Sequence, residues 1–323
     1  MTERMRFADF HMDRANPWLE EILNNPEFRY AASRKKQLPR EGLEKLDLHF
    51  ATIYRRASDE IKSAARTGNE QVLATVRTEL EKLIDYYRTT DHFHVIESYS
   101  DLKLQDRYDA NNIVLHLEGA DIITNPDVVD GLYERGVRSV GLVYNHDNKL
   151  GGGARGKKDR GLTALGKRVV DRMIQKGIII DTSHANHKTS RDILQRVGDY
   201  TKTVTTHTTG FYGMTQRDIT ADILEDIARK GGVVGFFPVK PMFPSFEKYI
   251  ENFRKASDVA GSVNHLAFAS DFGGLDAEHL FEEFDEIGKL SLVAEQLSEL
   301  GRFTDDDVAK IMYGNVERIV KQL

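Results

Sequence analysis

Cysteine is absent from the 323-residue chain. This absence excludes disulfide bonds, thiolate zinc sites and cysteine nucleophiles. Any metal ion that the protein binds must therefore be held by histidine and carboxylate side chains.

The chain also lacks long apolar runs and a surplus of basic residues. No segment approaches the roughly 20 apolar residues that span a bilayer as a helix, and the N-terminal MTERMRFADF has no apolar signal-peptide core. The net charge is −6 and the isoelectric point is near 6.0, so we expect no broad basic surface for nucleic acid. We therefore predict a soluble, cytoplasmic protein without a nucleic-acid or membrane partner.

Linkers rich in proline, glycine or serine and low-complexity tracts are missing as well. The composition, 40% hydrophobic and 30% charged, is typical of a folded protein with a sizeable core. We therefore predict a single domain spanning residues 1–323.

Short apolar or β-rich segments recur along the chain and mostly alternate with segments of helical periodicity. The eight segments are MRFADFH, LDLHFATIY, NNIVLHLEG, VRSVGLVYN, GIIIDTSH, YTKTVTTH, GGVVGFFP and NHLAFASDF. Eight strand–helix units favour a (β/α)8 TIM-like barrel, an α/β fold, over a doubly wound sheet. We also predict a helical insertion over about residues 58–89, after the second strand, and a C-terminal helix from about residue 304.

One helical segment, LTALGKRVVDRMIQKG, carries signals for both of its ends. Thr163 can cap the first turn, and Leu165, Val169 and Met173 share one face. Gly177 is expected to end the helix, and the next strand follows directly.

Residue types that bind metal ions lie at the ends of several predicted strands. In the stretch DFHMD, His11 and Asp13 point to the same side because side chains alternate along a strand. Active sites of barrel enzymes lie at the carboxyl ends of the strands. Each residue alone could be a capped or hydrogen-bonded polar group, but together they favour a shared site. The six residues are His11, Asp13, Glu118, His184, His207 and Asp271.

This set of three histidines and three carboxylates suits zinc, with manganese or iron as alternatives. Six ligands exceed the number that one four-coordinate zinc ion needs. Two metal ions roughly 3.5–4 Å apart, bridged by a carboxylate and a water molecule, would use all six and would activate the water. We therefore predict two divalent metal ions and a hydrolase.

Eight motifs follow one another between residue 7 and about residue 320: HMD, LEGAD, GVRSVGLVYN, GLTALGKRVVDRMIQKGIIIDTSH, TTH, RDITADIL, ASDFGG and KIMYGNVERIV. Their order resembles that of the membrane (renal) dipeptidase family of the amidohydrolase superfamily, including its bacterial members. The match is strongest between Asn112 and His184 and weak in the helical insertion. The resemblance implies a binuclear metal-dependent dipeptidase.

The resemblance also implies how the metal ions are bound. By position in the motifs, His11, Asp13 and Glu118 would bind one ion. Glu118, His184 and His207 would bind the other, so that Glu118 bridges the two.

Further roles follow from the same resemblance. Asp271 matches an aspartate that transfers a proton, and Arg217 matches an arginine that binds the substrate carboxylate. A guanidinium group suits that role because it can hold a carboxylate through two charge-assisted hydrogen bonds. Tyr144 occupies the position of a substrate-binding histidine in the mammalian enzymes, and the sequence leaves open whether Tyr144 or His146 contacts the substrate.

Some residues depart from the family pattern or are set aside. Phe10 and Gly273 replace a glycine and an aspartate that are common there, so the shape of the pocket can differ. The glycine-rich LGGGARG lacks the lysine and serine or threonine of a phosphate-binding loop and matches a variable loop of the family. We predict structural or surface roles for His92, His94, His116, His187 and His265.

The expected activity is hydrolysis of dipeptides, and the family often accepts a D-residue at the C-terminal position. The same metal chemistry could serve another amidohydrolase reaction, such as hydrolysis of an N-acyl amino acid or a cyclic amide. A binding protein that keeps the barrel without turnover is a less favoured alternative. The preferred dipeptides, the metal identity and a homodimeric state are left open by the sequence.

Overall fold

The computed structural model describes residues 4–13, 32–55, 58–102, 111–157 and 160–323. Within these ranges one sheet of parallel strands forms the centre of the fold. Its strands are β1 (Ala8–Met12), β2 (Leu48–Ile53), β3 (Phe93–Val95), β4 (Asn111–Glu118), β5 (Val137–Gly141), β6 (Ile179–Asp181), β7 (Thr203–Thr208), β8 (Val234–Phe236) and β9 (Leu266–Phe268).

Eight of these strands form a nearly closed barrel in the order β1-β2-β4-β5-β6-β7-β8-β9. Backbone hydrogen bonds from Asp13 N to Phe272 O (2.9 Å) and from Asp271 N to His11 O (3.0 Å) connect the ends of β1 and β9. The predicted barrel is confirmed, and all eight predicted strands form. The short strand β3, which pairs with β4, was not predicted.

Helices connect the strands and cover the outside of the barrel. They are α1 (Ala32–Lys36), α2 (Arg40–Leu43), α3 (Asp59–Thr67), α4 (Glu70–Thr89), α5 (Asp127–Glu134), α6 (Ala164–Lys176), α7 (His187–Val197), α8 (Ala221–Arg229), α9 (Phe246–Ala260), α10 (Leu290–Glu299), α11 (Asp305–Ala309) and α12 (Asn315–Val320). The helices α3 and α4 confirm the predicted insertion. The predicted C-terminal helix is also confirmed, with one π-helical turn (Lys310–Gly314) between α11 and α12.

Strand β4 shows how the two faces of the barrel wall differ. Leu115 and Leu117 face outward and pack in one hydrophobic cluster with residues of α4 and α6. His116 and Glu118 lie on the opposite face because side chains alternate along a strand. That alternation places Glu118 inside the barrel, at the carboxyl end of its strand.

Strand β1 departs from simple alternation. Its pairing with β2 shifts register between Asp9 and Met12, as in a β-bulge. Phe10 packs edge-on against Phe50 of β2, with ring centroids 4.8 Å apart, and its neighbour His11 also contacts side chains of the barrel interior. The bulge thus lets two successive side chains enter the barrel.

The ends of helix α6 agree with the sequence signals. Thr163 Oγ1 accepts a hydrogen bond from Gly166 N at 3.0 Å, and Gly177 adopts a left-handed conformation with φ 73° at the other end. Val169 and Met173 are buried against the barrel wall. Both predicted ends are confirmed.

Replacement of the capping residue should weaken the fold measurably. We expect Thr163→Ala to lower the free energy of unfolding by about 0.5–2 kcal/mol, because the first turn loses its side-chain acceptor. The hydroxyl also donates to Lys149 O at 2.6 Å, and Thr163→Ser retains both bonds. Denaturant unfolding followed by circular dichroism measures the difference, and equal stability of the alanine and serine variants would contradict the capping role.

Candidate active site

The six ligand-type residues predicted from the sequence lie together at the carboxyl end of the barrel. Five of them are buried, with at most 6% of the residue exposed, and the Asp271 side chain is 15% exposed. They come from different strands or from the turns that directly follow them. The six are His11 in β1, Asp13 directly after it, Glu118 at the end of β4, His184 in the turn after β6, His207 in β7 and Asp271 in the turn after β9.

One carboxylate oxygen, Glu118 Oε1, lies at the centre of this cluster. It is 2.9 Å from His184 Nε2, 3.3 Å from His207 Nε2 and 3.4 Å from His11 Nε2. Asp271 Oδ1 lies 3.9 Å from His11 Nε2. The Nε2 atoms of all three imidazoles therefore point to one small region.

The possible ligand atoms form compact groups, and within each group they lie within 4.8 Å of one another. The groups are His11, Asp13 and Glu118; Glu118, His184 and His207; and His11, His207 and Asp271. Imidazole nitrogens and carboxylate oxygens in this arrangement suit zinc and similar divalent ions. The cluster could therefore hold metal ions, and Glu118 belongs to two of the groups.

The buried carboxylates of the cluster repel one another. Burial raises the pKa of Asp13 and of Glu118 well above the ordinary range, and the nearby Asp271 carboxylate raises both further. Burial also raises the pKa of Asp271 to about 7, although the Arg217 guanidinium opposes this shift. A bound cation would relieve this repulsion, which is a second reason that the residues fit a metal ion.

The histidines of the cluster are in the form that binds metal ions. Burial is the main reason that the pKa values of His11, His184 and His207 are well below the ordinary value, and the Arg217 charge lowers them further. Neutral imidazole is the metal-binding form. Asn145 Oδ1 lies 2.9 Å from His184 Nδ1, so the amide oxygen can accept the Nδ1 hydrogen while Nε2 carries none.

Two residues of the cluster have a strained backbone. His184 and Asp271 adopt positive φ angles of 61° and 55°, and among the described residues no other non-glycine residue does so. Such conformations cost about 1–3 kcal/mol each and concentrate at functional sites. The backbone hydrogen bond from Ala154 N to His184 O (2.8 Å) and that from Asp271 N to His11 O hold the two turns in place.

Arg217 lies beside the histidines. Its Nη1 donates to the His207 carbonyl oxygen at 3.1 Å, and its Nη2 lies 3.2 Å from His184 Nε2. The guanidinium carbon is 5.7 Å from the centre of the Phe237 ring. A positive charge is thus held at the edge of the cluster, where a substrate anion could reach it.

Tyr144 and His146, the two candidates for a substrate contact, both lie near the site. The Tyr144 ring stacks on the His184 imidazole, with centroids 4.3 Å apart, and lies 4.7 Å from the Tyr54 ring. Burial raises the pKa of Tyr144, so its hydroxyl stays protonated and can donate a hydrogen bond. His146 Nε2 lies 2.9 Å from Asp121 Oδ2, so this nitrogen is already engaged with a carboxylate.

These residues line a cleft of about 620 Å³ that opens above the cluster. This volume is within the range of small-molecule sites, roughly 300–1,000 Å³. Polar and charged groups dominate its walls. The cleft is lined by Asp13, Arg34, Tyr54, Lys62, Glu118, Tyr144, Asn145, His146, Arg155, His184, Arg217, Phe237, Asp271, Gly274, Leu275 and Asp276.

The glycine-rich loop that the sequence reasoning set aside forms part of this wall. Arg155 N donates to Asn145 O at 2.7 Å, which places the arginine at the cleft. A Cβ atom at Gly153 would lie 2.5 Å from the carbonyl oxygens of Tyr144 and His146. Glycine is therefore required for this close approach, and the run of three glycines was the signal that could have identified the loop.

The five histidines assigned to structural or surface roles lie outside the cluster. His116 is buried below it, with Nδ1 2.9 Å from Ser139 Oγ. His94, His187 and His265 each place a ring nitrogen within 3.0 Å of a backbone carbonyl oxygen. His92 is exposed near the start of β3.

A parallel barrel with buried imidazoles and carboxylates at its carboxyl end is the architecture of metal-dependent barrel hydrolases. The model of one family, membrane dipeptidase (peptidase family M19), matches residues 1–323. The chain belongs to this family.

Two curated relatives share parts of the sequence. An uncharacterized protein of Acinetobacter calcoaceticus is 37% identical over 134 residues, which cover 38% of this chain and 41% of the relative. An uncharacterized dipeptidase of Schizosaccharomyces pombe is 24% identical over 270 residues, which cover 79% of this chain and 64% of the relative. The matched regions thus span less than two thirds of the relatives' own length.

The fold is shared with a solved metallo peptidase from Rhodobacter sphaeroides, bound to a phosphinate mimic of the dipeptide L-Ala-D-Ala. The TM-score is 0.77 at 19% sequence identity, and the alignment covers 99% of each chain. Within the described residues, each helix is too short or too polar to cross a lipid bilayer.

Substitution of the central carboxylate should reduce metal binding. We expect Glu118→Gln to bind less metal than the wild type, because the neutral amide replaces an oxygen shared by two ligand groups. Elemental analysis after chelation and reloading measures this, with Glu225→Gln on the exposed face of α8 as a matched control. Unchanged metal content in Glu118→Gln would remove Glu118 from the ligand set.

Proposed function

We propose that this protein is a metallo-dipeptidase with two divalent ions, most simply zinc, with manganese or iron as alternatives. The observation that carries the proposal is that two ligand groups share Glu118 and face a cleft that also contains Arg217. Membership of the membrane dipeptidase family supports the same reaction. A cytoplasmic location and a single domain remain predictions from the sequence.

The proposed ligand sets follow the compact groups. His11, Asp13 and Glu118 would hold one ion, and Glu118, His184 and His207 would hold the other. Bound there, two divalent ions supply Lewis acidity for the peptide carbonyl and an acidified water as nucleophile. The shared carboxylate explains why Glu118 lies within 3.4 Å of all three imidazoles.

Asp271 is the proposed proton-transfer group. Its carboxylate lies beside His11 and lines the cleft, so it can reach both the cluster and a substrate above it. From that position Asp271 can accept a proton from the attacking water and deliver it to the leaving amine. The backbone hydrogen bond from Asp271 N to His11 O ties this turn to the end of β1.

Arg217 and Tyr144 are the proposed substrate-binding residues. Arg217 would bind the C-terminal carboxylate of the dipeptide through its guanidinium fork. The protonated Tyr144 hydroxyl would donate a hydrogen bond to the substrate. We favour Tyr144 over His146 because Tyr144 stacks directly on His184, whereas the ring of His146 is paired with Asp121.

The stereochemistry of the substrate is a separate proposal. The Rhodobacter sphaeroides structure holds a mimic of a dipeptide with a C-terminal D-residue, and we propose that this chain also accepts such dipeptides. Hydrolysis of N-acyl amino acids or cyclic amides is the main alternative, and a barrel without turnover is another. These possibilities are a dipeptidase, another amidohydrolase and a barrel without turnover. A screen of L,L and L,D dipeptides, N-acyl amino acids and cyclic amides, combined with metal analysis, distinguishes them.

Removal of the proton-transfer group should separate metal binding from turnover. We expect Asp271→Asn to retain metal and to lose about 10²–10⁴-fold in kcat, because the amide cannot accept the proton from water. Elemental analysis and steady-state kinetics on the same preparation test this. An Asp271→Asn enzyme with full metal and activity within a few-fold of the wild type would exclude Asp271 from proton transfer.

The role of Arg217 can be tested with a substrate that lacks the anion. We expect Arg217→Ala to lower kcat/KM for a free dipeptide by roughly 30-fold to several thousand-fold, equivalent to about 2–5 kcal/mol for a truncated charge pair. For the same dipeptide with an amidated C-terminus, we expect Arg217→Ala to have nearly the same kcat/KM as the wild type. Equal losses on both substrates would indicate damage to the metal site instead of a lost carboxylate contact.

A further inference from the structure

A buried hydrogen-bond unit lies directly below the ligand cluster. It consists of Asp181, the last residue of β6, and Thr206 of β7, whose exposed fractions are 1% and 0%. Asp181 Oδ1 accepts from Ser183 N at 3.0 Å, Ser183 Oγ at 2.8 Å and Thr206 N at 2.8 Å. Its Oδ2 lies 2.8 Å from Thr206 Oγ1. The sequence reasoning assigned no role to either residue.

The Thr206 hydroxyl also faces two imidazoles of the cluster. Thr206 Oγ1 lies 3.1 Å from His207 Nδ1 and 3.3 Å from His11 Nδ1. The two rings stack with centroids 3.6 Å apart, although β1 and β7 are not adjacent strands of the barrel. A single oxygen therefore contacts histidines of both proposed ligand groups.

The direction of these hydrogen bonds follows from the number of hydrogens. A threonine hydroxyl has one hydrogen and two lone pairs, and a carboxylate can only accept. The hydrogen of Thr206 is therefore given to Asp181, the nearest of its four side-chain partners. The fourth partner, Ser183 Oγ at 3.2 Å, gives its own hydrogen to Asp181 Oδ1. Its lone pairs remain to accept hydrogens from Nδ1 of His207 and of His11.

A neutral imidazole carries one ring hydrogen, so its position decides which nitrogen can bind a metal ion. We propose that Thr206, oriented by Asp181, is a positioning residue that selects the Nδ1-protonated tautomer of both His11 and His207. In this tautomer the unprotonated Nε2 atoms are those that face Glu118 Oε1, at 3.4 and 3.3 Å. The inference rests on the proposed metal-binding role of these histidines but not on the substrate.

The third histidine of the cluster is held by a different side chain. His184 Nδ1 faces Asn145 Oδ1 at 2.9 Å and has no contact with Thr206 among the described residues. Its Nε2 lies 2.9 Å from His207 Nε2, so its tautomer is coupled to that of His207 and gives no independent reading of Thr206. A buried threonine next in sequence, Thr205, provides a matched control, because its hydroxyl contacts Thr182 Oγ1 at 2.6 Å and no histidine.

The first measurement is metal affinity. Metal-free full-length protein is titrated with Zn²⁺ against a competing chelator, for the wild type, Thr206→Val, Thr206→Ser and Thr205→Val. Loss of such an outer hydrogen-bond partner typically weakens metal binding about 10–100-fold, and we expect a loss of this size for Thr206→Val. Thr206→Ser and Thr205→Val should bind Zn²⁺ within about threefold of the wild type. An equal loss in Thr205→Val would show that any buried threonine gives the effect and would overturn the inference.

The second measurement detects the tautomers directly. Long-range ¹H–¹⁵N correlation spectra of the metal-free proteins distinguish Nδ1-protonated from Nε2-protonated histidine. In Thr206→Val we expect His11 and His207 to lose the Nδ1-protonated form, whereas in Thr205→Val both keep it. Unchanged spectra for His11 and His207 would overturn the inference even if the affinity fell.

These readouts are independent of peptide hydrolysis. If the wild type shows the expected tautomers and affinities but cleaves no dipeptide, the proposed function fails and the positioning role stands. If the wild type cleaves dipeptides but Thr206→Val has normal tautomers and metal affinity, the positioning role fails and the proposed function stands. Thermal unfolding of Thr206→Val beside Thr205→Val shows whether the two variants are equally well folded.

Discussion

The site is organised by the buried carboxylate of Glu118, which lies within 3.4 Å of three imidazole nitrogens. Two further carboxylates, those of Asp13 and Asp271, are close enough to raise its pKa. Buried like charges are costly unless cations compensate them. The arrangement therefore makes physical sense as a metal site, and Arg217 supplies a positive charge at its edge. Each proposed role in the cleft depends on this balance between buried acids and cations.

The barrel makes this concentration of charge tolerable. Parallel strands end at one face, and the backbone groups beyond them are satisfied by the next strand or turn. His184 and Asp271 sit in turns with positive φ, which hydrogen bonds from neighbouring elements hold in place. Below the cluster, Asp181 accepts hydrogen bonds from Ser183 and Thr206, so buried hydrogen bonds support the histidines from beneath. Rigid support of this kind keeps side chains oriented for chemistry.

Much of the fold could be predicted because its signals are local. The eight strands, the inserted helices and both ends of α6 follow from short-range periodicity and from the capping preferences of Thr163 and Gly177. The β-bulge between Asp9 and Met12 could not be predicted, since it depends on how β1 pairs with β2. The short strand β3 was missed for a similar reason, because three residues carry too little periodicity to be recognised.

The residue types available for the site can be read directly from the sequence. With no cysteine, a metal had to be bound by histidine and carboxylate, and motif order pointed to His11, Asp13, Glu118, His184 and His207. Folding of the barrel brings one oxygen of Glu118 to three imidazoles, Arg155 to the cleft and Thr206 to His11. These contacts join residues that are far apart in the chain, such as His11 and Thr206. Their distances depend on barrel closure and strand register, which no local pattern of residues specifies.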